Sequence, residues 1–167
     1  MARILILGGA GFVGYHLARR LAETPSNRIT LVDDLSRGRA DAALTALLAR
    51  PSVELVRADL TDPAALTPLP TQWDQVHVLA AVVGVRPVTG APARVIRVNT
   101  LATLNVLEWA TPDAGVLFFS STSETYAGGV GRGTVPVPTP ETVPLSVDDI
   151  ASPRLAYAAS KILGEAA

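Results

Sequence analysis

The stretch RILILGGAGFVGYHLARRLAE, residues 3–23, decides the fold. Ile4 to Leu7 form an unbroken apolar run, and glycines then stand at positions 8, 11 and 14 before apolar residues recur at Val13, Leu17 and Leu21. A short run of that kind reads as a buried strand, and the later spacing reads as one face of a helix. Having no Cβ, Gly8 can turn the chain tightly, Gly11 can let backbone amides approach an anion, and Gly14 can let the helix sit close on the sheet. The first turn of that helix, with Phe12 and Val13, favours negative charge through its unpaired amides and dipole. A glycine turn alone is still only a strand-to-helix connection.

A second feature selects the ligand. The next apolar run ends in LVDD, which places Asp33 about 20 residues beyond Gly14, where an acid accepts hydrogen bonds from the adenosine ribose of a dinucleotide. The same charge repels a 2′-phosphate, so NAD is expected over NADP. Arg37 and Arg39 lie close enough to moderate that preference.

Outward from this unit the pattern repeats. RITLV (28–32), VELVR (53–57), VHVLAA (76–81) and GVLFFS (115–120) read as further strands, and their continuous apolarity implies burial on both faces. Helical segments lie between them: RADAALTALLAR (39–50) closes at Pro51, and APARVIRVNTLATLNVLEWA (91–110) ends before Thr111-Pro112. Alternation of this kind predicts an α/β fold, a Rossmann-like doubly wound parallel sheet. Residues 127–153 are rich in Gly and Pro and read as a long loop, functional or mobile. RLAYAASKILGEAA (154–167) resumes helical character.

With 167 residues, 49% of them hydrophobic, the chain has the length for one domain, a dinucleotide-binding unit over 1–167. A formal net charge of −1 gives no bulk attraction to nucleic acid or to an acidic membrane. There is no cysteine, and His16 and His77 sit in different segments, so no metal site is expected. The apolar run at the start breaks at glycines too early for a secretory signal, and no transmembrane span follows. A cytoplasmic location is the expectation.

The candidate chemistry lies at the end of the last strand. Ser120, Ser121, Thr122, Ser123 and Glu124 crowd its carboxyl end, the edge of an open α/β sheet where ligands sit. Read alone, the segment is equally a hydroxyl-rich loop satisfying its own backbone. Tyr157 and Lys161 shift the balance, because they stand one helical turn apart. A free tyrosine titrates near pH ~10, and a neighbouring ammonium stabilises its phenolate. Thr122 and Tyr157 can then grip one substrate alcohol.

Taken in order, the three glycines, VDDLS around Asp33, ADL around Asp59, HVLAAVVGV, Asn99, SSTSETYAG and Tyr157-x-x-x-Lys161 resemble the extended short-chain dehydrogenase/reductases. The resemblance covers nearly the whole chain and points to the NAD-dependent nucleotide-sugar epimerases and dehydratases. It implies that Asp59 and Leu60 lie against adenine, that Ala80 and Ala81 line the cofactor cleft, and that Asn99 braces the fourth strand from its helix. It implies further that Thr122 and Tyr157 deprotonate a sugar 4-hydroxyl while Lys161 holds the nicotinamide ribose. Thr122-Ser123-Glu124 is similar to the motif of UDP-glucuronate decarboxylases, with a 4-epimerase or 4,6-dehydratase as the alternatives. Two departures stand out: the segment between Thr122 and Tyr157 is long for these enzymes, and TYAGG replaces their usual Val-Tyr-Gly. The resemblance also implies that a later, substrate-binding half is absent. A complementing chain or a homodimer would then complete the protein, or the chain is an NAD-binding module without turnover of its own. An unpaired edge at GVLFF is expected in either case.

Overall fold

The computed structural model describes residues 1–37, 40–110 and 114–167, so Arg39, Thr111 and Pro112 lie outside the described residues. Five parallel strands form one sheet: β1 (Arg3–Leu7), β2 (Arg28–Asp33), β3 (Val53–Arg57), β4 (Trp73–Val78) and β5 (Ala114–Phe119), in the order β3-β2-β1-β4-β5. The helices are α1 (Phe12–Leu21), α2 (Ala42–Leu48), α3 (Val85–Gly90), α4 (Pro92–Trp109), α5 (Ala127–Gly131) and α6 (Leu155–Ala166). Short 3-10 turns occupy Pro63–Leu66 and Ser123–Tyr126.

Contacts divide the chain into two compact units, Met1–Ala81 with Ala102–Ser120, and Val82–Leu101 with Ser121–Ala167. The first holds the sheet. On one of its faces Ile4, Ile6, Ile29 and Leu31 pack with Ala18 of α1 and with Leu44 and Leu47 of α2. On the other, Leu5, Leu7, Val32, Val76 and Val78 pack with Ala102 and Val106 of α4. Alternate residues of one strand thus serve two cores, which is why the run Ile4–Leu7 has no polar position. Each fully buried aliphatic side chain contributes ~1.5–3 kcal/mol of transfer free energy.

Two boundaries differ from the sequence reading. β4 begins at Trp73 and stops at Val78, so 79–81 leave the sheet. The glycine turn crosses β4 there: a Cβ placed on Gly8 would lie 2.7 Å from the Ala80 nitrogen. The earlier start escaped the reading because Asp74, Gln75 and His77 are polar. The long loop is also more ordered than expected, since it carries α5 and buries Val135. Gly128 makes that packing possible, for its amide donates to the Ser146 carbonyl at 3.0 Å and a Cβ would lie 2.7 Å from Val147 backbone. At the far edge β5 pairs only with β4 among the described residues, with Val116 and Phe118 exposed. Among those residues no helix is long and apolar enough to cross a membrane.

Candidate functional site

In the first unit, the carboxyl ends of four strands gather the residues expected to hold a dinucleotide. The amides of Gly8 and Gly9 donate to the Val32 carbonyl at 2.7 and 3.3 Å, and the Ala10 amide donates to Asp33 Oδ2 at 3.0 Å. The glycine turn is therefore strapped to the end of β2. Gly8 adopts φ +87°, the left-handed region that side chains rarely enter. A Cβ at Gly14 would strike the Gly8 carbonyl oxygen and lie 2.8 Å from Gly9 Cα. One at Gly11 would meet only the Gly8 oxygen, at 3.3 Å, and otherwise project into open space. That opening, beside the first-turn amides of exposed Phe12 and Val13, is a cradle for an anion.

Asp33 closes the cradle on the β2 side. Its second oxygen, Oδ1, accepts the Leu35 amide at 2.9 Å, and Leu35 itself takes φ 59°. A non-glycine residue there costs ~1–2 kcal/mol, which the carboxylate contact helps to offset. Each carboxylate oxygen keeps a lone pair for a ribose hydroxyl. Asp59 lies exposed just past β3 and accepts the Thr61 amide at 2.9 Å and the Thr61 hydroxyl at 2.8 Å. Leu60 is buried, and its carbonyl accepts Asn105 Nδ2 at 2.9 Å. Ala80 and Ala81 are half-buried beyond β4.

The second unit assembles the hydroxyl and tyrosine residues. Thr122 caps the 3-10 turn Ser123–Tyr126, its Oγ1 accepting the Glu124 amide at 3.3 Å. Thr125 Oγ1 donates to the Thr122 carbonyl at 2.8 Å. Helix α6 packs against this turn. Ser121 Oγ donates to Glu165 of α6, and Arg154, at the start of α6, lies 3.5 Å from Glu124 Oε1. Val88 of α3 and Val95 of α4 meet Ala156 and Tyr157 in a small apolar core. Asn99 of α4 is buried, accepts the Val82 amide at 2.7 Å and donates to Ser160 Oγ at 3.2 Å. Ser160 in turn donates to the Tyr157 carbonyl at 2.7 Å. Asn99 thus braces both the segment after β4, as expected, and the tyrosine helix, which sequence reasoning missed. Ser160 and Arg154 are the other residues it missed.

Electrostatics modify one expectation. Burial, and then the negative charge of Glu124, raise Tyr157 above the ordinary tyrosine value, although Lys161 Nζ lies 5.9 Å from the ring centroid. Burial also lowers Lys161, to about 8. The tyrosine is therefore held protonated at neutral pH, and Lys161, only 3% exposed, remains mostly an ammonium.

A buried lysine with a depressed value carries a pH signature. Between about 8 and the ordinary lysine value near ~10.4 the unfolded chain binds more protons than the folded one, so stability rises with pH across that window. Lys161→Met is expected to stabilise the fold at pH 7 by ~1–2 kcal/mol and to flatten that rise. Urea denaturation at pH 7 and pH 10 checks it; a variant less stable than the parent at pH 7 would refute it.

Comparison with known proteins follows from this geometry. The model of the NAD dependent epimerase/dehydratase family matches residues 4–167. The chain belongs to this family. UDP-glucuronic acid decarboxylase 5 of Arabidopsis thaliana is 35% identical over 74% of the chain and 35% of its own length. UDP-arabinose 4-epimerase 1 of the same plant is 38% identical over 75% of the chain and 31% of its own length. The Bordetella bronchiseptica enzyme WbmF in complex with NAD+ superposes with a TM-score of 0.75 at 28% identity, covering 98% of the chain and 43% of that structure. The chain thus spans about a third of the length of these curated relatives. NAD is the family's cofactor.

Proposed function

We propose that the chain is the cofactor-binding and hydroxyl-oxidising part of a UDP-sugar enzyme that acts on a uronate and removes its carboxylate. The observation that carries this reading is Glu124: it follows Thr122 on one 3-10 turn, and its charge reaches Tyr157. A third acidic group beside the threonine and tyrosine has no task in simple oxidation of an alcohol. It has one when the oxidised sugar must afterwards lose carbon dioxide and be reprotonated. The decarboxylase relative supports the same reading, and the epimerase relative supports a 4-epimerase as the alternative.

NAD, when bound, supplies the hydride acceptor. Gly8, Gly11, Gly14 and the first-turn amides of Phe12 and Val13 hold its phosphates, and Asp33 holds its ribose. Thr122 would hydrogen-bond the sugar 4-hydroxyl, and Tyr157, once ionised, would receive the proton from that oxygen. Lys161 would keep positive charge beside the tyrosine and would hold the nicotinamide ribose. Substrate nucleotide and most sugar contacts come from a further portion, in the same polypeptide or a complementing one.

The test uses this chain fused to the remaining length of a decarboxylase relative. With UDP-glucuronate and NAD, carbon dioxide release is expected, and interconversion of UDP-glucose with UDP-galactose without it would overturn the decarboxylase reading. Calorimetry on the chain itself is expected to show NAD binding tighter than NADP, with Asp33→Ala erasing the difference. Equal affinities in the parent would sink the cofactor preference.

A further inference from the structure

Arg154 belongs to none of the roles assigned so far. It stands three residues before Tyr157, so the two lie one helical turn apart on neighbouring positions, with Lys161 one turn further on. Its Nη2 lies 3.5 Å from Glu124 Oε1, both as an ion pair and as a hydrogen bond, across 30 residues of chain. The guanidinium is well exposed, and the carboxylate is about a third exposed.

We propose that Arg154 is a positioning residue of the tyrosine site: it holds the Glu124 carboxylate by its outer oxygen and offsets its charge, which lets Tyr157 ionise beside an ionised glutamate. The inference rests on the reading that Tyr157 receives a proton during turnover. A phenolate and a carboxylate close together repel each other, and one of them is then kept protonated unless a cation intervenes. Burial raises Tyr157 most, and the smaller contribution of Glu124 is the repulsion such a cation relieves. Arg154 brings a guanidinium to that position, 3.5 Å from the carboxylate.

Other charges around the tyrosine do not serve. On α6, Glu165 is engaged by Ser121, and Lys161, lowered to about 8 by burial, loses its charge before the raised Tyr157 titrates. Helices α3 and α4 meet the tyrosine through Val88 and Val95, and their Arg86, Arg94 and Arg97 are exposed. Arg132, near α5, pairs with Asp148 at 3.6 Å. On the 3-10 turn Glu124 is the acidic residue, and Arg154 is the cation paired with it.

The experiment needs no substrate, so its failure is distinct from a wrong substrate assignment. The chain is labelled with tyrosine carrying carbon-13 at Cζ, and the three tyrosines are titrated by NMR, Tyr157→Phe assigning the resonance. Glu124→Gln is expected to lower the Tyr157 midpoint, and Arg154→Gln to raise it by ~0.5 pH unit, the scale of a partly exposed ion pair. On the Glu124→Gln background, Arg154→Gln is expected to give a smaller shift, because the hold on the carboxylate is gone and only the arginine's direct field on the phenolate is left. Arg154→Lys, which keeps the charge and loses the planar fork, is expected to give a smaller upward shift, and it carries the test if the glutamine variant does not fold. An unmoved midpoint in the arginine variants, or an equal shift with and without Glu124, would overturn the proposal.

Discussion

Valine at Gly14 is expected to unfold the chain, whereas valine at Gly11 leaves the fold standing and removes dinucleotide binding. The two positions lie three residues apart in one motif, yet their surroundings are opposite. At Gly14 any Cβ runs into the backbone of Gly8 and Gly9, which cannot yield because the Gly8 amide is fixed to the Val32 carbonyl at 2.7 Å. Relief requires α1 to lift from the sheet, separating Ala18 from Ile4, Ile6 and Leu31. Overpacking that forces backbone shifts costs ~1–3 kcal/mol, and loss of that helix contact adds more. The sum approaches the ~5–15 kcal/mol that stabilises a whole domain.

At Gly11 the only near atom is the Gly8 oxygen at 3.3 Å, so a side chain is accommodated by a shift of a few tenths of an ångström. Its methyl groups then fill the space that the pyrophosphate needs beside the helix amides. Urea denaturation and NAD calorimetry on both variants separate the cases. The expected result is a soluble, cooperatively unfolding Gly11→Val whose NAD affinity falls by about 100-fold or more, an energy of ~2.7 kcal/mol. Retained NAD affinity in Gly11→Val would show that the cradle is misassigned. A stable Gly14→Val would show that α1 sits less closely than the structure has it.

Why the dinucleotide half was legible in the sequence, and the tyrosine half only partly, has a physical basis. The glycine turn and Asp33 depend on local geometry: spacing along one strand, one turn and the next strand fixes where they go. Strands β1 and β2 were legible because both faces are buried, leaving only Thr30 as a polar residue within the two buried runs. β4 broke that rule, since Gln75 and His77 are only half-buried, and its start at Trp73 was lost. In the second unit, contacts join distant segments: Asn99 to Ser160 across 61 residues, and Arg154 to Glu124 across 30. No periodicity encodes such pairs. The motif that brought Tyr157 and Lys161 forward likewise carried no information on Glu124, whose charge opposes the ionisation that Lys161 was expected to favour.

The second large effect concerns the order of chemical events in the completed enzyme. Oxidation at C4 of a glucuronate moves a hydride from carbon to the cofactor and a proton from the 4-hydroxyl to the enzyme. The resulting ketone lies β to the C6 carboxylate, so when the C5–C6 bond breaks its electron pair enters the carbonyl as an enolate and carbon dioxide departs. C5 must then take up a proton. On the proposed reading Tyr157 serves the first event, because it stands on α6, which packs on the turn that Thr122 caps, and its phenolate form is the group there that would take the proton. Removing a positioned acid–base group costs ~10²–10⁴-fold in rate, and Tyr157→Phe is expected near the upper end because no other base shares its helix turn. Glu124 serves the later events, which predicts a different defect: Glu124→Gln reduces NAD at a measurable rate yet stalls carbon dioxide release. Following NADH absorbance and carbon dioxide together in single-turnover experiments on the fusion protein distinguishes the two. If Glu124→Gln slows both signals equally, the glutamate acts at oxidation and the division of labour between the two residues is wrong. If Tyr157→Phe still reduces NAD within about tenfold of the parent rate, the proton goes elsewhere, and Thr122 becomes the residue to vary.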